Sequence, residues 1–191
     1  MSYSYSEDQL IQKSAAALLE NELGWTSVMA WDAEVLGEAG TLGRKSYHEV
    51  LLVRHFCKAL KALNPWMTEK QLAEAVERMT ERMSSQSLMQ INEQKYQYIK
   101  DGIPVTRTKP NGETEEVKAK VIDFASPLRN EFLCVRELWV YGALYRRRAD
   151  IVGFVNGIPL LFMELKNHDV EVVDAFNKNY RDYLDTIPQL F

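Results

Sequence analysis

The chain has 191 residues, a length that fits one domain of ordinary size or one domain carrying an insertion, and it can bury enough surface to fold without a staple. Cys57 and Cys134 lie far apart with no CxxC or Cys/His spacing, which excludes a disulfide framework and a zinc site. A net charge of −4 argues against a protein that coats nucleic acid by bulk electrostatics. No stretch approaches the roughly 18 apolar residues needed to cross a membrane, and MSYSYSEDQL has no signal-peptide character, so a cytoplasmic protein without a membrane partner is expected.

Leu10, Ile11, Ser14, Ala15, Leu18 and Leu19 have helical spacing and predict a helix over 7–23, with Ser6 as its N-cap and Gly24 just past its end. A short strand is expected over 26–31, then a loop marked by Gly37, Gly40 and Gly43. Helices are expected over 46–63, stopped by Asn64-Pro65, then from Thr68 with Leu72, Val76 and Met79 on one face, then over 87–100. The block at about 44–100 therefore reads as a helical insertion between the first strand and the main sheet.

From Ile103 the period becomes that of strands: 105–109 and 114–120 around Pro110-Asn111-Gly112, then 132–140. Two apolar runs between Ala149 and Lys166 flank Asn156-Gly157, a strong hairpin signal. A final helix is expected over 170–184. The order implies an α/β fold with a central mixed sheet flanked by helices, organised as a single domain over 1–191 with the helical insertion at about 44–100.

The run 160–165 is nearly continuous in apolar residues, as in a strand buried on both faces, and it ends in Glu164 and Lys166. Two residues apart, these point to the same face. Charges at the end of a core strand are costly unless paired, hydrogen-bonded or bound to a metal. Asp150 stands at the far end of the partner strand. A strict two-residue loop would pair it with Met163, on the wrong face, whereas a three-residue loop or a bulge near 156–159, with Val155 opposite Pro159, would set it opposite Glu164. In that register Met163 and Leu165 point into the core.

Two carboxylates repel each other alone but bind a hard divalent cation through oxygen, typically Mg²⁺, with Mn²⁺ able to substitute. Such an ion serves phosphodiester hydrolysis, a neighbouring lysine can orient the attacking water, and the carbonyl of Leu165 could complete the shell. Arg146, Arg147 and Arg148 form a basic strip immediately before Asp150 that could hold phosphates.

Asp150 with Glu164-Leu-Lys166 resembles the PD-(D/E)xK nuclease motif, with Ala149 in place of the proline. RRRADIVGFVNGIPLLFMELKN, residues 146–167, is similar to the nuclease region of the restriction (R) subunit of type I restriction–modification enzymes. The stretches 6–10, 23–25, 123–127, 130–133 and 187–191 fit the same resemblance, while 44–100 is unmatched.

The resemblance implies a restriction-endonuclease-like core and Mg²⁺-dependent cleavage of double-stranded DNA. In it Asp150 and Glu164 are metal ligands and Lys166 is the catalytic lysine. It further implies a QxxxY pair on the following helix, where Tyr183 matches and Asn179 stands in place of glutamine. Glu7 fits an acidic residue on the first helix, although a carboxylate there also compensates the helix dipole. Methyltransferase and specificity subunits are the implied partners. Gly40-Thr-Leu-Gly43-Arg-Lys lacks the spacing and hydroxyl of a P-loop, so ATP is expected to be used only downstream, this chain being an N-terminal fragment of a longer motor-containing subunit. A repair nuclease or junction resolvase of the same superfamily, and a non-catalytic docking module, are the rival readings.

Overall fold

In the computed structural model of the chain the described residues are 7–81, 86–165, 173 and 175–191, with no side chain described at 7–10, 175 or 178. The chain divides into two compact units, Met1–Leu52 with Phe132–Phe191, and Val53–Glu131.

The first unit is built on a four-stranded sheet in the order β1-β4-β5-β6, from β1 (Thr26–Met29), β4 (Phe132–Tyr141), β5 (Arg146–Val155) and β6 (Ile158–Met163). β1 runs parallel to β4 and the other neighbours are antiparallel, so the sheet is mixed as expected. Helix α1 (Glu7–Leu23) covers one face, where Ala16 and Leu19 pack with Cys134 and Ile151. Its end is closed by Gly24 at φ +70°, as the sequence implies. The opposite face is covered by Tyr183, Ile187 and Leu190, which pack on Val135, Val152 and Phe154. These come from the C-terminal segment, a turn of π-helix over Ala175–Tyr180 that passes into α5 (Arg181–Thr186). Gly153 leaves space for Trp25, whose Cζ3 would lie 2.7 Å from a Cβ at that position.

The second unit holds α2 (Val53–Leu63), α3 (Glu69–Thr80), α4 (Leu88–Asp101) and the hairpin of β2 (Ile103–Thr108) and β3 (Thr114–Ala119). Thr68 and Ser87 each close a capping box, with Gln71 and Gln90 as the reciprocating partners. Asn64, the residue that stops α2, bonds the carbonyl and N–H of Lys120, both at 2.8 Å.

Two expectations are corrected. The helix expected from Ser46 begins only at Val53. Tyr47 O accepts from Tyr141 N–H at 2.9 Å and Leu52 N–H donates to Gly157 O at 2.9 Å, so the backbone of this segment serves the sheet rather than a helix. Arg44 is buried there against Glu34, in a bidentate pair of 2.8 and 2.5 Å. Strands β2 and β3 form a separate two-stranded sheet instead of joining the main one.

Candidate active site

The β5–β6 hairpin turns through two residues, with Val155 opposite Ile158 and not Pro159, so of the two expected routes, a three-residue loop or a bulge near 156–159, it takes a bulge, set just beyond that stretch. Asn156 and Gly157 both have positive φ, +52° and +80°, so they complete the turn without a third residue. The register is then corrected further on. Phe154 pairs with Pro159 but Gly153 pairs with Leu161, which leaves Leu160 as the extra residue of a bulge. Pro159 has no N–H to give the ladder, which favours a break there. Beyond the bulge Val152 meets Phe162 and Ile151 meets Met163, so the next position on each strand brings Asp150 to Glu164.

The carboxylate of Asp150 is gripped from two sides. Gln12 of α1 donates its amide to Oδ1 at 3.1 Å, and the N–H of Leu165 donates to Oδ2 at 2.8 Å. Glu164 is held from α5 and the turn before it, with Asn179 Nδ2 on Oε1 at 2.6 Å and the Tyr183 hydroxyl 3.0 Å from Oε2. Met163 and Leu165 pack on the α1 side, as expected, and Phe162 packs with Tyr183 on the other, at 5.3 Å between ring centroids.

Tyr183 also lies 3.1 Å from Arg148 O, so its single proton serves two acceptors. Burial first, then the Glu164 carboxylate and then the charge of Asp150 push this phenol well above its ordinary range. It therefore acts as a fixed donor.

Gln12 is the site residue that sequence reasoning missed. It is 6% exposed on a helix that otherwise reads as alanine- and leucine-faced packing, and the only signal was a buried-side position occupied by an amide. Lys166 and the side chain of Glu7 lie outside the described residues. Arg147 makes a two-pronged pair with Asp182 of α5 at 2.5 and 2.8 Å. Arg148 pairs with Glu137 at 2.5 Å and stacks 4.8 Å from the Trp31 ring, while exposed Arg146 stacks 5.3 Å from Trp139.

Each of the four carboxylate oxygens receives a neutral donor, an amide, a backbone N–H or a phenol. Such donors fix an oxygen in place without themselves cancelling its charge. That donor set suits a hard cation. Among the described residues no group of three acidic, histidine or cysteine side chains could hold a metal, so backbone oxygen or water would have to complete the shell.

A family profile described as "Type I restriction enzyme R protein N terminus" matches residues 4–191. The chain belongs to this family. It is similar to a putative type I restriction enzyme MjaIXP endonuclease subunit of Methanocaldococcus jannaschii, 31% identical over 97% of this chain and 18% of the relative. It is also similar to the type I restriction enzyme HindI endonuclease subunit of Haemophilus influenzae, 31% identical over 88% of this chain and 16% of the relative. This R-protein N-terminal region thus spans under a fifth of the length of these relatives.

Proposed function

We propose that this region is the endonuclease part of a type I restriction enzyme R protein and that it hydrolyses phosphodiester bonds of double-stranded DNA with Mg²⁺. The observation that carries the reading is the meeting of Asp150 and Glu164 at one end of a buried hairpin, each held by donors from a different helix. Family membership and the naming of relatives as endonuclease subunits support it.

In this reading Asp150, Glu164 and the carbonyl of Leu165 would hold the metal. Once bound, the cation would polarise the phosphoryl oxygen and make a bound water more acidic. Gln12, Asn179 and Tyr183 keep the carboxylates oriented, and the buried Tyr183 hydroxyl excludes water from behind Glu164. Lys166, two residues beyond Glu164 in sequence, carries the positive charge that orients the attacking water. Arg146, exposed at the start of β5, meets the phosphate backbone, whereas Arg147 and Arg148 have internal partners. Methyltransferase and specificity subunits complete the assembly, ATP is used outside this region, and the location is cytoplasmic.

The test is Asp150→Asn and Glu164→Gln in the full-length R protein with the subunits it assembles with. Each should abolish Mg²⁺-dependent cleavage while assembly persists. Cleavage at the unmodified rate in both variants would overturn the reading and leave the pair as a structural cluster.

A further inference from the structure

The alternation of side chains across the sheet is reset at Glu137. On β4, Leu133 and Val135 belong to the core on the α5 side, but the next members are Leu138 and Val140, so the parity changes between them. On β5, Phe154 and Val152 belong to the same core and the next member is Ala149, while Ile151 packs on the α1 side. Arg136 pairs with Ile151 and Leu138 with Ala149, so Glu137 and Asp150 stand opposite each other where the pairing passes over one position on each strand.

The cause is visible in the backbone. Glu137 has φ +57°, a left-handed conformation that a non-glycine residue adopts at a cost and keeps only when its surroundings enforce it. Its carboxylate is 7% exposed and lies 2.5 Å from Arg148 Nε as an ion pair. With unbroken alternation Asp150 would follow Val152 and Phe154 onto the α5 side, away from α1. It accepts instead from Gln12 of α1, while the N–H of Leu165, next to Glu164, takes its other oxygen.

We propose that Glu137 is a positioning residue for Asp150: its left-handed backbone resets the alternation of β4 and β5 and turns the Asp150 carboxylate off the α5 face, onto the Gln12 amide and the N–H of Leu165 that hold it. The required property is the conformation, not the acid. This inference rests on the metal-site reading given above.

The test compares Glu137→Gly, which accepts positive φ freely, with Glu137→Val, whose branched side chain resists it, in the full-length R protein. Mn²⁺ binding without DNA should be within about threefold of wild type for the glycine variant and weaker by roughly tenfold or more for the valine variant. Cleavage by the valine variant should fall about 100-fold. In a crystal structure of that variant the Gln12–Asp150 hydrogen bond should be lost. Retention of that bond overturns the inference whether or not the protein binds metal. A glycine variant as defective as the valine one also overturns it, since the carboxylate itself would then be required. Failure of wild type to bind Mn²⁺ would strike the metal-site reading instead, leaving the hydrogen bond to decide. Should the valine variant not fold, Glu137→Ala replaces it, with Mn²⁺ affinity expected below that of the glycine variant, and equal affinities overturn the inference.

Discussion

Asn179 Nδ2 lies 2.6 Å from Glu164 Oε1, so this amide, shorter by one methylene than the glutamine of a QxxxY pair, still reaches the carboxylate. The π-helical turn over Ala175–Tyr180 carries Asn179 into place, and insertions of this kind are frequent at functional sites. Asn179→Ala should lower cleavage about 10- to 100-fold, the usual cost of deleting a partner that orients a metal ligand. Asn179→Asp should lower it further, because two carboxylates would then face each other. A kinetic comparison at saturating Mg²⁺ checks both, and an alanine variant with wild-type rates would remove Asn179 from the site.

Tyr183 makes stability depend on alkaline pH. Its phenol titrates near 10 when unfolded and higher when folded, because burial and the Glu164 and Asp150 charges disfavour the phenolate. The stabilisation is therefore fully present below about pH 10 and is lost as pH rises from there towards the folded value. Urea midpoints measured from pH 8 to 11 should fall more steeply for wild type than for Tyr183→Phe. At pH 8 the phenylalanine variant should cost about 1 kcal/mol for the lost hydrogen bond. Parallel curves would show that the phenol is not buried against the carboxylates in solution.

Glu34 and Arg44 form a pair with 1% and 0% side-chain exposure, and Arg44 also donates to Trp139 O at 3.0 Å and Glu49 O at 3.0 Å. Glu34→Ala strands a guanidinium in the interior and should destabilise by about 3–5 kcal/mol. Replacing both residues by apolar ones of similar volume should recover much of that loss. Denaturant titration of the single and double variants decides the matter, and a loss under about 1 kcal/mol for Glu34→Ala would show that the pair is open to water.

Local signals read well where the chain obeys one period and one cap. Helix α1, the Thr68 and Ser87 caps and strand β4 all follow from spacing and end residues. The region 46–52 has helix-forming residues but is held by backbone bonds to Tyr141 and Gly157, partners distant in sequence that no local pattern encodes. The need for a correction between Asn156 and Glu164 was legible from face alternation, yet its place at Leu160 was not, since it depends on Pro159 withholding an N–H from β5. Asp150 and Glu164 were legible because charges stand out against an apolar background, and Tyr183 only through the resemblance to a QxxxY pair. Gln12 and Glu137 were not, as an amide on a helix and a glutamate in a strand read as surface until the partner elements are in place.

The two chain ends that the first unit leaves at Leu52 and Phe132 lie close together on its sheet. Leu52 donates its N–H to Gly157 O, and Phe132 pairs with Val155, so both ends meet the tip of the same hairpin. The carboxylates stand at the other end of that hairpin. A linker of a few residues rejoining 52 to 132 should therefore leave Asp150 and Glu164 where the hairpin sets them.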